Sequence, residues 1–247
     1  MKSVVLCEGS DDLWFVGYYL YKVGKWQICD SPWKNYTIPA RNGQKVIFLK
    51  SRADTVAIWC VGGKDAFSET VSILLDKIIG TYPFDPVNSI VIMRDRDNES
   101  DSEILSQMQR WISSDRILTN KSRTVWHKEI EGTQVSINIT PLIIPFSEDG
   151  AIETVLMHSI SERDAEGAVV VDEANSYIDK LRSRPEIGTN YLTHDRLILK
   201  ARYASIIAVT NPGHSTSLFR DMVMLYPWEK SEHVKEHFDV ILGAISS

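Results

Sequence analysis

Three short apolar runs constrain the fold of this 247-residue chain more than any other feature of its sequence. They cover residues 3–7, 56–61 and 89–93, and apolar residues at helical spacing follow each of them. A continuous apolar run of this length is typical of a strand that is buried on both faces, as in a parallel sheet covered by helices. The alternation of strand and helix patterns therefore predicts an α/β fold.

The second half of the chain changes character. Residues 122–130 and 133–144 have the pattern of two strands joined by a short turn, which predicts an antiparallel hairpin at the sheet edge. From about residue 164 onward the apolar spacing is helical, in segments broken by prolines. We therefore expect a mostly parallel sheet with this edge hairpin in residues 1–160, and a helical extension packed on the core in residues 161–247.

Composition and charge argue against several classes of protein. No apolar run approaches the roughly 20 residues of a membrane helix, and an apolar strand that begins at Ser3 leaves no room for a signal peptide. Cys7, Cys29 and Cys60 have no metal-type spacing, which favours free thiols in a reducing cytoplasm. A formal charge of −6 argues against a general nucleic-acid coat protein, but it permits an enzyme with a carboxylate-rich metal site.

An acidic motif follows the first apolar run, at the sheet edge where open α/β folds bind their ligands. Glu8 and Gly9 come directly after the strand, and Asp12 lies in the first turn of the next helix. A carboxylate beside a flexible glycine suits the binding of a hard cation such as Mg²⁺. Helix capping by Asp11 or Asp12, with Glu8 exposed, is the alternative interpretation of the same residues.

A second acidic motif follows the run at residues 89–93. Asp95 and Asp97 alternate along the chain, so in an extended segment both side chains point to the same side. Two carboxylates held together repel each other unless a cation or a basic side chain neutralises them. Because both motifs follow buried strands, we expect them to contribute ligands to one or two Mg²⁺ or Mn²⁺ ions.

The order and spacing of the two motifs resemble those of the Toprim domain. Topoisomerases, bacterial primases, recombination-mediator proteins and the overcoming-lysogenization-defect (OLD) nucleases share this catalytic fold. The resemblance rests on Glu8-Gly9-x-x-Asp12 and Asp95-x-Asp97 and covers about the first 100 residues. It implies a Toprim-like Rossmannoid sheet in which the glutamate and the aspartate pair surround Mg²⁺ and carry out phosphodiester chemistry.

Later motifs resemble small stand-alone Toprim-like proteins that are related to the OLD nucleases. Gly150-Ala151-Ile152-Glu153 leads into an apolar helix, and on this resemblance Glu153 would bind a second metal ion. Lys200 would lie near the scissile phosphate and stabilise its developing charge. A surface position on an amphipathic helix is the alternative interpretation of Lys200.

Two further motifs are consistent with ligand binding. Gly62, Gly63 and Lys64 precede a helix, and backbone amides at such a position can bind phosphate. The P-loop pattern is absent, and a plain strand-to-helix turn explains these residues equally well. His233 and His237 share a helix face at a spacing that suits zinc, but the sequence indicates no third ligand, and exposed histidines are more common.

The sequence therefore favours a Mg²⁺- or Mn²⁺-dependent nuclease that acts on nucleic acid, DNA rather than RNA, in the cytoplasm. OLD-type nucleases carry an ATPase domain that this chain lacks, which suggests a separately encoded ATPase partner in phage defence. The alternative function is a non-catalytic module that binds metal and nucleic acid or nucleotide for regulation, because one fold can serve both roles. Strand specificity and oligomeric state stay open.

Overall fold

The computed structural model describes residues 1–35, 37–41, 43–81, 84–130 and 132–246. The strands are β1 (Lys2–Cys7), β2 (Gln27–Cys29), β3 (Lys45–Ser51), β4 (Asp54–Cys60), β5 (Ser89–Asp95), β6 (Thr124–Ile130) and β7 (Thr133–Ile144). Within the described residues they form one seven-stranded sheet in the order β2-β3-β4-β1-β5-β7-β6.

The centre of the sheet is parallel, and the predicted α/β class is confirmed. β1 lies between β4 and β5 and is parallel to both, with Leu6 opposite Trp59 on one side and opposite Ile92 on the other. These three strands are buried along almost their whole length. Their continuous apolar runs are therefore the result of packing on both faces of the sheet.

The two edges of the sheet are built from antiparallel pairs. β6 and β7 form the predicted hairpin, with Trp126 opposite Ile137, and β6 is the outermost strand. At the other edge β3 is antiparallel to β4, and the short strand β2 is antiparallel to β3. The sequence did not predict β2, because a strand of three residues with little burial has no apolar pattern.

Helices account for most of the rest of the described chain. The α-helices are α1 (Ser10–Lys22), α2 (Phe67–Ser72), α3 (Asp101–Trp111), α4 (Ile152–Arg163), α5 (Ala165–Arg182), α6 (Pro185–Asn190), α7 (Asp195–Thr210), α8 (Phe219–Met222) and α9 (Glu232–Ile245). A π-helical segment, Ile73–Ile79, continues α2. None of these helices combines the length and the hydropathy that a membrane span requires.

The chain divides into two compact units. The first consists of Met1–Arg94, Glu99–Ile143 and Phe238–Ser247, and the second of Asp95–Asn98 and Ile144–His237. The predicted boundary at residue 160 falls inside helix α4, so the helical unit begins earlier than the sequence indicated. The strand and helix patterns of the sequence do not show to which unit a helix belongs. They therefore could not show that α4 is part of the second unit.

Each unit has its own apolar packing. In the first unit the rings of Phe67 and Trp111 stack at 5.3 Å, and those of Phe15 and Phe238 lie 4.8 Å apart. In the second unit α4, α5 and α7 pack against one another, and Ile206 of α7 is fully buried. Burial of each large apolar side chain contributes about 1.5–3 kcal/mol to stability. This packing holds the segments that carry the acidic residues in place.

Candidate metal centre

The first acidic motif follows the C-terminal end of β1. Asp12 is buried, and its Oδ2 accepts a hydrogen bond of 2.7 Å from the backbone N–H of Gly9. This bond satisfies a backbone donor at the start of α1, so Asp12 has the capping role that the sequence left as an alternative. The metal-binding roles of Glu8 and Asp12 stay predictions.

The glycine pair after β4 makes backbone contacts with the first motif. The amides of Gly62 and Gly63 both donate to the backbone carbonyl of Glu8, at 3.2 and 3.1 Å. Both glycines have positive φ, 90° and 119°, which explains why glycine occupies these positions. Lys64 Nζ lies 3.5 Å from Glu99 Oε1. Because both amides already have an acceptor within the chain, this conformation disfavours the predicted phosphate-binding role of Gly62 and Gly63.

Asp95 of the second acidic motif occupies a buried position at the start of helix α4. Only 2% of the residue is exposed, and its Oδ1 accepts a hydrogen bond of 3.2 Å from the backbone N–H of Ile152. The amides at a helix N-terminus carry partial positive charge, which stabilises a carboxylate there. The start of α4 therefore stabilises negative charge on the buried Asp95 side chain.

Asp97 is fixed by its backbone. Its N–H donates to Gly150 O at 2.6 Å, and the N–H of Gly150 donates back to Asp97 O at 2.7 Å. Asp97 has a φ of +52°, a left-handed conformation that aspartate tolerates better than most residues. Gly150 has a φ of +136°, and a Cβ there would clash with Thr154 Oγ1. This paired turn requires glycine at residue 150 and sets the entry into α4.

Arg196 of helix α7 brings the acidic residues of the second unit together. Its Nη2 lies 2.9 Å from Asp95 Oδ2, while its Nη1 lies 3.7 Å from Asp97 Oδ1 and 3.4 Å from Glu153 Oε2. Three residues that the sequence predicted as metal ligands therefore converge on one guanidinium. We call Asp95, Asp97, Glu153 and Arg196 the acid cluster.

No direct signal in the sequence points to the role of Arg196. It lies in a basic stretch with Lys200 and Arg202, a pattern that is typical of a solvated helix face. Lys200 follows Arg196 by four residues, so both lie on one face of α7. Lys200 is exposed and forms no ion pair with any residue that the structure describes, and its predicted role near a phosphate stays a prediction.

The donor set of the acid cluster fits a hard divalent cation. Three carboxylates against one guanidinium leave a formal excess of two negative charges. Asp95 and Glu153 are only 2% and 6% exposed, so water cannot fully compensate this excess. Carboxylate oxygens are the ligands that Mg²⁺ and Mn²⁺ prefer. Asp95, Asp97 and Glu153 could therefore bind such an ion if Arg196 moved aside.

Comparison with known proteins gives a family and a similar solved structure. A family model described as "Protein of unknown function (DUF3226)" matches residues 2–238. The crystal structure of hypothetical protein PH0156 from Pyrococcus horikoshii OT3 is similar, with 18% identity and a TM-score of 0.49 over 93% of this chain and 98% of that one. No curated protein matches the chain. These matches do not indicate a function.

Proposed function

The chain belongs to this family, whose description assigns no activity, and we propose that it is a Mg²⁺- or Mn²⁺-dependent nuclease. The observation that carries the proposal is the convergence of Asp95, Asp97 and Glu153 on a single cationic group. Two buried carboxylates with a partly exposed third beside them, from separate segments, are costly to hold together unless a cation lies among them. A bound divalent ion would supply the charge that activates water and stabilises the leaving oxygen in phosphodiester hydrolysis.

The side chains of the acid cluster have separate tasks in this proposal. Asp95, Asp97 and Glu153 present the oxygen ligands, and the turn at Gly150 keeps Asp97 in place. Arg196 partly neutralises the carboxylates when no divalent ion is bound and releases them when one binds. The resemblance to Toprim domains suggests roles for three more residues. Glu8 would be a metal ligand and general base, Asp12 would be a metal ligand, and Lys200 would stabilise the charge of the phosphoryl group.

The substrate and partners follow from the same resemblance. We propose that the protein cleaves nucleic acid, DNA in preference to RNA, in the cytoplasm. A separately encoded ATPase would act with it, because the related OLD nucleases contain an ATPase domain. A defence system against phage is the setting in which such a pair would work.

One observation favours a second candidate function. Arg196 Nη2 lies 2.9 Å from Asp95 Oδ2, and this contact is also what a permanent structural ion pair would show. If Arg196 stays there, the chain would be a non-catalytic module that binds nucleic acid or nucleotide and regulates a complex. Metal binding and cleavage must therefore be measured separately.

A cleavage assay tests the nuclease. Purified protein is incubated with supercoiled plasmid, single-stranded DNA or RNA, in Mg²⁺, in Mn²⁺ or in chelator. We expect metal-dependent cleavage, and a loss of at least about 100-fold in rate for Asp95→Asn and for Glu153→Gln, because removing one charge-stabilising group commonly costs that much. Glu8→Gln and Lys200→Ala test the roles suggested by the resemblance.

Asp172→Asn is the matched control, because Asp172 is an exposed acid on α5 of the same unit. It should cleave at the wild-type rate. Cleavage that continues unchanged in both Asp95→Asn and Glu153→Gln would contradict the assigned site. If no substrate is cleaved while calorimetry detects Mg²⁺ binding that Asp95→Asn abolishes, the binding module is the better description.

A further inference from the structure

A second group of potential ligands lies in the second unit. Glu148 precedes helix α4, His158 lies on α4 and His233 lies on α9, and one ligand atom from each lies within 4.8 Å of the others. His158 Nε2 is 2.8 Å from Glu148 Oε1, and the two histidine rings are 4.8 Å apart. Two segments that are distant in sequence, residues 148–158 and helix α9, therefore bring two imidazoles and a carboxylate together. We call these three residues the histidine cluster.

His233 is prepared for a ligand. Its Nε2 is buried and has no hydrogen-bond partner among the described residues, although a buried polar atom normally has one. The ring lies between two other imidazoles, 4.8 Å from that of His158 and 4.7 Å from that of His237. These neighbours restrict its orientation. A metal ion would satisfy the nitrogen that the protein leaves without an acceptor or donor.

His237, which the sequence paired with His233, is not available as a ligand. The backbone N–H of Phe146 donates to His237 Nε2 at 3.1 Å, so the ring proton is on Nδ1. Nδ1 donates to the carbonyl of His233 at 2.7 Å. Both nitrogens of His237 are therefore used within the chain. The other two members of the histidine cluster, Glu148 and His158, lie outside the helix that carries His233.

We propose that Glu148, His158 and His233 form a binding site for a divalent transition-metal ion, with Zn²⁺ as the expected ion. Two imidazoles and one carboxylate are a ligand set that zinc uses when a fourth position is left to water or substrate. Mg²⁺ and Ca²⁺ prefer oxygen ligands and would bind this site poorly. Glu148 and His158 are exposed, which gives the ion a path from solvent.

The electrostatic surroundings favour a cation. Besides Glu148, the carboxylates of Glu162 and Glu236 act on His233 through space. Burial lowers the pKa of His233, and the nearby His158 lowers it further. This lowering favours the neutral imidazole that a metal ligand requires. The hydrogen bond between His158 and Glu148 would be replaced by two bonds to the ion.

Competition with a chromogenic chelator tests the site on full-length protein whose affinity tag has been removed. The protein is first dialysed against chelator to remove bound metal. When Zn²⁺ is then added, we expect one ion to bind per chain. His158→Ala and His233→Ala should weaken binding by at least about 100-fold, since loss of an outer-shell partner alone costs 10–100-fold. Co²⁺ provides a second readout, because its visible absorption reports coordination by the protein, and both variants should lose that absorption.

His214→Ala is the control for adventitious binding, because His214 is an exposed histidine of the same unit outside the cluster. It should bind Zn²⁺ as the wild type does, and so should Asp172→Asn, which removes an exposed acid of the same unit outside both clusters. Thermal unfolding verifies that each variant is folded. Absence of stoichiometric Zn²⁺ binding, or binding that is unchanged in the double variant His158→Ala/His233→Ala, would overturn the proposal.

Discussion

The acid cluster and the histidine cluster solve the same electrostatic problem in different ways. Asp95 and Glu153 are buried, and they have the guanidinium of Arg196 as a cation within the chain. The histidine cluster is more exposed, and its imidazoles can be neutral, so it needs no internal cation. Buried carboxylates therefore depend on a counter-ion for stability. Neutral imidazoles are stable without a bound cation.

This difference predicts two kinds of metal response. A divalent ion that binds the acid cluster must compete with Arg196, so its apparent affinity is reduced by the free energy of that ion pairing. An ion that binds the histidine cluster displaces only a proton or a weak hydrogen bond. Metal affinity at the acid cluster would depend on the position of α7, which carries Arg196. Metal affinity at the histidine cluster would depend on pH.

Removing Arg196 should give the largest effect. Arg196→Ala leaves buried carboxylates without their cation, and we expect it to lower the free energy of unfolding by about 3 kcal/mol in chelator. Mg²⁺ should restore much of this loss and should bind more tightly than to the wild type, because its competitor is gone. Urea unfolding with and without Mg²⁺ measures both effects.

Arg202→Ala is a closely matched control. Arg202 lies on the same helix and its side chain is 28% exposed, as is that of Arg196, but it pairs with the exposed Asp179. Exposed ion pairs contribute at most about 1 kcal/mol. If Arg196→Ala is as mild as Arg202→Ala, or if Mg²⁺ stabilises both variants equally, the acid cluster is not a competing metal site.

The turn at Gly150 should give the next largest effect. Gly150→Ala places a Cβ against Thr154 at a φ of +136°, and we expect a loss of about 1–3 kcal/mol in stability. Because Gly150 pairs with Asp97, Mg²⁺ binding should weaken as well. Gly213→Ala is the control, since a Cβ there meets no atom within 4 Å. Equal stability of the two variants by thermal unfolding would show that the turn does not constrain Asp97.

The sequence predicted the features that depend on local pattern. Continuous apolar runs predicted the parallel strands β1, β4 and β5, and period-two alternation predicted the hairpin of β6 and β7. Asp95 and Asp97 are candidate ligands because they alternate after a buried strand, and Glu153 is one through the resemblance to Toprim-like proteins. Their convergence is a tertiary fact that motif order anticipated, whereas their metal-binding role stays a prediction.

The features that the sequence missed depend on side chains brought together by packing. Arg196 reaches the acids only because α7 packs on α4. Its spacing from Lys200 predicts only that the two residues share a helix face. His158 is 75 residues before His233 in the chain, so no ligand spacing connects them. A metal site of this kind becomes visible only when the helices of the second unit have been placed.

The two clusters should also differ in their response to pH. As pH falls below about 6.5, imidazoles take up protons, and Zn²⁺ must then displace those protons to bind. We therefore expect Zn²⁺ affinity to fall at least about tenfold between about pH 7.5 and about pH 5.5. The acid cluster contains no histidine, so Mg²⁺ affinity there should change much less over this range.

The lowered pKa of His233 sharpens this expectation. Burial and the neighbouring His158 keep His233 neutral to a lower pH than an ordinary histidine, so part of the fall in Zn²⁺ affinity should come below about pH 6.5. Isothermal titration calorimetry measures both ions in the same buffers. Equal pH dependence for Zn²⁺ and Mg²⁺ would mean that they share one set of carboxylate ligands, and the distinction between the clusters would fail.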